Sequence, residues 1–192
     1  MIQLTYDTEV EVGLISINHA ILGLLSHKPM TGYDLKKLIQ ESSFLYWSGN
    51  NNQIYKALLE LLNAGFVTNE VLHQDSSPSK KIYTVTSAGL DELRKWVLTP
   101  PEPPEFKKTF LIQLAWADLL NPDELNALLA GYEQEVRTQL LLLKGQAGSD
   151  HYVNEGNAKG ITLWKLIHSN LISTYNNELT WLAELRHELG LT

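Results

Sequence analysis

The chain has 192 residues, of which 44% are hydrophobic and 19% charged, and its formal net charge is −7 at pH 7. This composition is too apolar for a disordered chain, and no apolar run approaches the roughly 20 residues that a membrane span needs. The N-terminus is acidic where a secretory signal is basic, and the lack of cysteine excludes disulfides and thiolate metal sites. We therefore expect a cytoplasmic protein of one or two small domains without membrane association.

Two short helices are predicted after an acidic arm at residues 1–16. Ser16 is suited to cap the first, which runs from Ile17 to Leu25 with one apolar face. Thr31 caps the second, whose apolar stripe begins at Tyr33 and which ends near Ser42.

A third helix is predicted over Asn51–Ala64. Ile54, Leu58 and Leu61 recur at helical spacing, which indicates a buried face. Gly65 follows as the expected left-handed stop.

A two-stranded ribbon is predicted over residues 66–85, with a polar tip at 74–79. Thr86 or Ser87 then caps a helix that reaches Val97. Helix, glycine stop and ribbon occur in the order of a winged helix-turn-helix, a module that lays one helix in the DNA major groove.

Four prolines within residues 99–104 form the clearest boundary, because such a run is a stiff, extended spacer. Three helices are predicted after it, over 105–119, 122–144 and 158–189. The last has a long apolar stripe and little of its own chain to pack against, which suggests a partner subunit. The predicted dimer-interface residues are Trp164, Ile167, Leu171, Tyr175, Leu179 and Leu182.

The predicted fold is therefore mainly α. A winged helix-turn-helix of three helices and a two-stranded wing precedes an α-helical dimerisation domain. The predicted divisions are an N-terminal arm (1–16), a winged-helix domain (17–98), a hinge (99–104) and the dimerisation domain (105–192).

The acidity lies mainly outside the predicted DNA-binding module. Residues 17–98 carry eight Lys and Arg against seven Asp and Glu, a balance of +1, whereas residues 99–192 carry seven against twelve, a balance of −5. Because +1 attracts DNA only weakly, binding needs local basic clusters and a second copy of the module.

Polar side chains of the third helix and the wing are the candidates for DNA contact. Asn and Gln amides can pair with adenine edges in the major groove, although Asn50 and Asn51 also suit helix capping. Tyr55 either bonds a phosphate or lies under the wing. At least one of the two wing lysines is expected to contact a phosphate or the minor groove, and the other to do the same or only protect the strand edge. The predicted set is Asn50, Asn51, Asn52, Gln53, Tyr55, Lys56, Lys80, Lys81 and Tyr83.

Other chemistry is not indicated. The six histidines show no pair at metal-ligand spacing, and no nucleophile elbow, phosphate loop or Ser/His/Asp set is present. We expect no metal, no cofactor and no catalysis. Four tryptophans offer aromatic surface for a small-molecule effector pocket, but packing in the core is the simpler explanation for each of them. They are Trp96, Trp116, Trp164 and Trp181.

The chain resembles the PadR family of winged-helix transcriptional regulators. The matching segments, in the family's order and spacing, are Ile21–Leu25, Pro29–Leu35, Ile54–Val67 and Lys81–Gly89. The layout after Trp96 is similar to the dimerisation region of larger members. The resemblance implies a homodimer on a pseudo-palindromic double-stranded DNA operator, usually a repressor, often released by an effector, and no catalytic activity.

One departure from the family pattern bears on DNA binding. Leu59 and Glu60 stand where the family often has basic residues, so a phosphate partner is missing or a like charge is added. This acidity favours an alternative function, an interaction adaptor built on a winged helix that no longer binds DNA.

Overall fold

The computed structural model describes residues 17–42, 44–45, 52–74, 77–101, 103–104, 108–146 and 158–191. The chain divides into two compact units, residues 1–101 and 102–192, with the boundary inside the predicted proline-rich hinge. The arm and the predicted contacts Asn50 and Asn51 lie outside the described residues. Within the described ranges, no helix is both long and apolar enough to cross a membrane.

The first unit combines four helices with a small antiparallel sheet among its described residues. The sheet has the order β1-β3-β2, and its two-residue first strand, too short to show an alternating pattern, was not predicted. The elements are α1 (residues 17–25), β1 (Met30–Thr31), α2 (Gly32–Glu41), α3 (Asn52–Asn63), β2 (Val67–Gln74), β3 (Ser77–Val85) and α4 (Ser87–Val97).

The predicted ribbon is confirmed, but its tip is shorter than predicted. The strands continue to Gln74 and resume at Ser77, and these two residues are paired across the ribbon, with a register shift after Leu72. Polar sequence misled the prediction of residues 74–79, because a ladder of backbone hydrogen bonds does not depend on side-chain polarity.

Local signals set the ends of the helices. Thr31 caps α2 in a reciprocal box, its hydroxyl accepting from the Asp34 backbone N–H at 3.1 Å while the Asp34 carboxylate accepts from the Thr31 N–H at 3.3 Å. Gly65, at φ +72°, ends the turn after α3 in the left-handed region. Thr86 caps α4.

One apolar core holds the first unit together. Side chains from α1, α2, α3 and the sheet meet in it, so the position of α3 rests on contacts between elements that are distant in sequence. Its buried members are Ile17, Ile21, Leu22, Leu24, Leu25, Met30, Leu35, Ile39, Ile54, Ala57, Leu58, Leu61, Val67 and Tyr83.

The second unit is helical throughout its described residues. Its elements are α5 (Thr109–Ala115), a 3-10 helix (Ala117–Leu119), α6 (Pro122–Gln146) and α7 (Ala158–Glu188). The first helix was predicted over roughly 105–119, whereas the described part of this region holds two shorter helices, Thr109–Ala115 and Ala117–Leu119, separated at Trp116. The last helix was predicted to have little of its own chain to pack against, but α6 packs along α7.

A buried carboxylate lies inside the second unit. Glu178 accepts hydrogen bonds from the Lys108 ammonium at 2.5 Å and from the Tyr132 hydroxyl at 2.8 Å. The Tyr132 ring stacks on Phe110, with ring centroids 3.6 Å apart. Burial first, then the hydrogen bond to Glu178, raises the pKa of Tyr132 well above its ordinary range.

Candidate nucleic-acid interface

One face of α3 is anchored and the other is exposed. Ile54, Ala57, Leu58 and Leu61 are buried in the core. The opposite side carries five exposed residues at spacings of i, i+3, i+4, i+7 and i+11. We call them the exposed stripe: Asn52, Tyr55, Lys56, Leu59 and Asn63. Gln53 is exposed beside it. Amide, hydroxyl, ammonium and apolar groups are thus presented on one side of a helix, a set that can read base edges and phosphates.

Tyr55 is held where α2 meets α3. Its ring lies so close to Gly32 that a Cβ on that glycine would stand 2.9 Å from the Tyr55 Cε1 atom. About half of the Tyr55 side chain remains exposed (50%). The bare backbone at Gly32 therefore lets the ring pack at the helix junction while the residue keeps an accessible surface.

Tyr83 is placed differently from the prediction. It is 7% exposed, belongs to the core and pairs across the sheet with Met30 and Asn69. Burial first, and the neighbouring Tyr55 second, raises the pKa of Tyr83. Because its ring is covered by its own chain, a direct contact of Tyr83 with DNA is not supported.

Lys56 and Glu60 form an ion pair along α3. The Lys56 ammonium lies 3.8 Å from the Glu60 carboxylate, and their side chains are 62% and 38% exposed. An exposed pair of this kind is worth only about 0.2–1 kcal/mol, so Lys56 remains available to a phosphate. Glu60 also accepts a hydrogen bond from the Asn18 side chain of α1 at 3.3 Å.

The wing carries two further cations. Lys80 lies opposite Leu72 and Lys81 opposite Val71, so the two lysines point to opposite faces of the ribbon. Both are exposed, and neither forms an ion pair with another residue in the described part of the chain. Unpaired ammonium groups on a projecting ribbon are suited to contact phosphates on either side of it.

Two exposed residues, one on α2 and one on α3, were missed by the sequence reasoning. Tyr33, assigned to the apolar stripe of α2, is 68% exposed. Leu59 was noted only as a departure from the family pattern, yet it is exposed on the stripe of α3. The signal for Leu59 was present, because it stands seven residues after Asn52. A signal for Tyr33 was also present, since a residue two positions before Leu35 lies on the side of the helix away from Leu35 and Ile39.

The predicted dimer surface on α7 is mixed. Trp164, Leu171, Tyr175 and Leu179 are half-buried and Ile167 is exposed. Leu182, in contrast, is 1% exposed and packs with Phe110 and Leu129 of its own chain, so it is not free to contact a partner. The sequence reasoning missed four leucines that are largely exposed, namely Leu141, Leu142, Leu163 and Leu166.

Among the described residues, no group of histidine and carboxylate side chains is arranged to bind a metal ion. The chemistry that the side chains do present is that of hydrogen bonding and charge along α3 and the wing.

Comparison with known proteins agrees with this geometry. A model of the transcriptional regulator PadR-like family matches residues 21–95, and a model described as virulence activator alpha C-term matches residues 106–190. The chain is 32% identical over 130 residues to the negative transcriptional regulator PadR of Bacillus subtilis, covering 67% of this chain and 71% of that one.

Solved structures show the same fold. The crystal structure of Bacillus subtilis PadR in complex with operator DNA has a TM-score of 0.75 at 26% identity, over 88% of this chain and 95% of that one. The structure of the same protein in complex with p-coumaric acid has a TM-score of 0.71 at 24% identity, over 90% and 94% of the two chains. The sequence identity to Bacillus subtilis PadR extends over 71% of that protein, and the two chains share the same fold. The chain belongs to the PadR family, whose members are transcriptional regulators rather than enzymes.

Proposed function

We propose that the protein is a homodimeric, sequence-specific repressor that binds a pseudo-palindromic operator and responds to a small-molecule effector. The observation that carries the proposal is the exposed stripe of α3, mostly polar and carrying a cation, on a helix whose other face is locked in the core. Repression and an effector are supported by the relative in Bacillus subtilis, a negative regulator solved with operator DNA and with p-coumaric acid.

Each predicted contact then has a role. Asn52 and Gln53, in the first turn of α3, read base edges, since the N-terminal part of a recognition helix lies deepest in the major groove. Tyr55 and Lys56 bond phosphates beside them. Lys80 and Lys81 bind the backbone flanking the wing, and Asn50 and Asn51 remain proposed contacts just before α3.

The dimer is proposed to form through the second unit. The exposed leucines of α6 and α7, together with the half-buried aromatic residues of α7, supply an apolar surface of the kind that a second copy covers. Two linked winged helices raise affinity because contact with the second half-site becomes intramolecular. A regulator of this kind acts on DNA, and we therefore expect it in the cytoplasm.

The first experiment is fluorescence anisotropy of the full chain on DNA from its own upstream region, with competitor DNA, at two salt concentrations. We expect competitor-resistant binding that weakens as salt rises, because phosphate contacts release counterions. Run-off transcription from the same DNA distinguishes repression from activation. If both this region and a selection from genome fragments fail to bind, the adaptor function is favoured instead.

A further inference from the structure

A cavity lies within the first unit, between α1, the end of α3 and α4. Its volume is about 410 Å³, and its apolar lining includes Leu22, Leu61, Ala64 and Phe66. Ligand sites in proteins are clefts of this size, mostly apolar, with a few polar groups that orient the ligand. The cavity is separate from the exposed stripe of α3, so a ligand in it would not occupy the DNA-reading face.

One wall of the cavity is aromatic. The rings of His19 and Trp96 stack with centroids 4.5 Å apart and planes inclined by 7°. Both residues line the cavity, His19 from α1 and Trp96 from the last turn of α4. Each ring covers one face of the other, and Trp96 is the more accessible of the two, at 38% exposed against 8% for His19. The indole is therefore the ring surface available to a flat ligand, whose contact with it would add to the apolar area that becomes buried.

Two carboxylates and one ammonium group line the cavity, those of Glu60, Glu92 and Lys95, so negative charge is in excess there. Glu60 and Glu92 are 38% and 33% exposed, whereas their partners Lys56 and Lys95 are 62% and 79% exposed. The carboxylates therefore lie deeper than the ammonium groups that neutralise them. An indole face also attracts positive charge, so Trp96 and the two carboxylates prefer the same kind of ligand.

Glu60 connects the cavity to the DNA-reading face. On the cavity side it accepts a hydrogen bond from Asn18 at 3.3 Å, and both residues line the cavity. On the other side it pairs with Lys56 at 3.8 Å, a member of the exposed stripe. The Asn18 contact uses Oε2 and the Lys56 contact uses Oε1, so a cation that engages Glu60 from the cavity side shares the negative charge that attracts Lys56 and weakens that ion pair.

We propose that this cavity binds a small, flat, cationic aromatic molecule, and that binding strengthens DNA binding by freeing Lys56 and neutralising Glu60 next to the DNA. The regulatory half of this inference rests on the proposed function, while the binding half does not. This ligand would raise the affinity for the operator, whereas an effector that releases the operator lowers it. The reason is that the ligand neutralises a negative charge on the recognition helix and does not displace the helix.

Isothermal titration calorimetry of the full chain without DNA tests the site. The probe is 4-aminobenzamidine, and its near-isosteric anion 4-aminobenzoate is the control ligand. We expect saturable binding of the cation, at least about tenfold tighter than the anion, since opposite local charge changes a partly buried contact by more than one factor of ten. Equal binding of both ligands, tighter binding of the anion, or no binding of either overturns the proposal.

Matched variants locate the binding. Trp96→Leu and Glu92→Gln should each weaken 4-aminobenzamidine about fivefold or more, because they remove a cation–π face and a charge partner. Trp116→Leu, an exposed tryptophan of the second unit, should bind as the parent does. Glu92→Gln tests the same cavity if the Trp96 variant fails to fold. If both variants fold and bind 4-aminobenzamidine as the parent does, the probe does not bind in this cavity.

The coupling is tested on the operator. Saturating 4-aminobenzamidine should tighten DNA binding about two- to fivefold, the range set by an exposed ion pair. Glu60→Gln should bind DNA tighter without the probe and no longer respond to it. Lys56→Ala should keep probe binding but show a smaller response than the parent, because only the neutralisation of Glu60 remains. An unchanged or weakened DNA affinity in the parent overturns the coupling. If no operator exists, the proposed function and the coupling fail together, and calorimetry alone decides the site.

Discussion

Gly89, in the first turn of α4, lies directly against the backbone carbonyl oxygen of Phe66, so close that a Cβ at this position would collide with it. The same carbonyl accepts the Thr86 N–H at 3.0 Å. Thr86 completes the junction, since its hydroxyl donates to the Gly65 carbonyl at 2.8 Å and accepts from the Gly89 N–H at 3.1 Å. The turn that ends α3 and the cap that begins α4 are therefore one packed unit.

Gly89→Ala should destabilise the protein by about 3 kcal/mol, because the added methyl group meets backbone that cannot rotate away. Gly23→Ala is the matched control, since a Cβ at that helical glycine meets nothing within 4 Å. That change should be neutral or stabilise by up to about 1 kcal/mol. Urea unfolding of both variants measures the difference. Equal stability of the two would contradict the close approach of α4 to Phe66.

Replacing both wing lysines should flatten the salt dependence of DNA binding. In Lys80→Ala with Lys81→Ala, the slope of log affinity against log salt should fall by about 1 for each ammonium–phosphate pair that the substitutions remove. Arg94→Ala, an exposed cation on α4, should leave the slope near that of the parent. Anisotropy titrations at four salt concentrations supply the slopes. An unchanged slope in the double variant would remove the wing from the proposed interface.

Asn52→Ala should relax the sequence preference at one base pair of each half-site, with a loss of about 1–3 kcal/mol on the preferred base. Asn63→Ala removes the same amide from the far end of the exposed stripe, where a recognition helix leaves the groove floor, and should affect all sequences equally. Competition with a panel of single-base operator variants measures the ranking. If Asn52→Ala leaves that ranking intact, base reading by Asn52 is wrong.

Two leucines of α7 should have opposite effects on assembly and stability. Leu166 is 61% exposed, and Leu166→Glu should give a folded monomer whose operator affinity falls about 100-fold, because the second half-site contact is no longer intramolecular. Leu182 is 1% exposed, and Leu182→Ala should lower the free energy of unfolding by about 3 kcal/mol. Light scattering after size-exclusion chromatography and thermal unfolding distinguish these outcomes. If the Leu166→Glu variant remains dimeric, Leu166 does not belong to the dimer interface.

Tyr132→Phe should lower stability in a pH-dependent manner. The folded state raises the pKa of Tyr132 above its ordinary 10.0, chiefly by burial and then by the hydrogen bond to Glu178. This stabilisation is fully present below pH 10.0 and is lost as pH rises through the folded-state value. The variant should therefore be less stable by about 1 kcal/mol at pH 8, and the gap should narrow above pH 10. Tyr33→Phe, at an exposed tyrosine, should show no such gap.

Much of the winged helix was predictable because its signals are local. The spacing of Ile54, Leu58 and Leu61 identifies the buried face of α3, and the residues opposite it are exposed as that spacing requires. Thr31 and Gly65 act within one turn of their own positions, as cap and stop. The strand ends were less predictable, since Gln74 and Ser77 are polar and still pair across the ribbon.

Local sequence is sufficient to establish the order of the elements, their caps and the apolar face of α3, because these depend on residues within one or two turns. Packing between distant segments is what buries Tyr83 in the core and covers Leu182 with its own chain. The same packing explains why glycine is required at position 89, because the backbone of Phe66 lies against it. Phe66 is distant in sequence, so the residues around Gly89 do not reveal this contact. Periodicity shows that a face is apolar, whereas its covering depends on which distant segments pack against it.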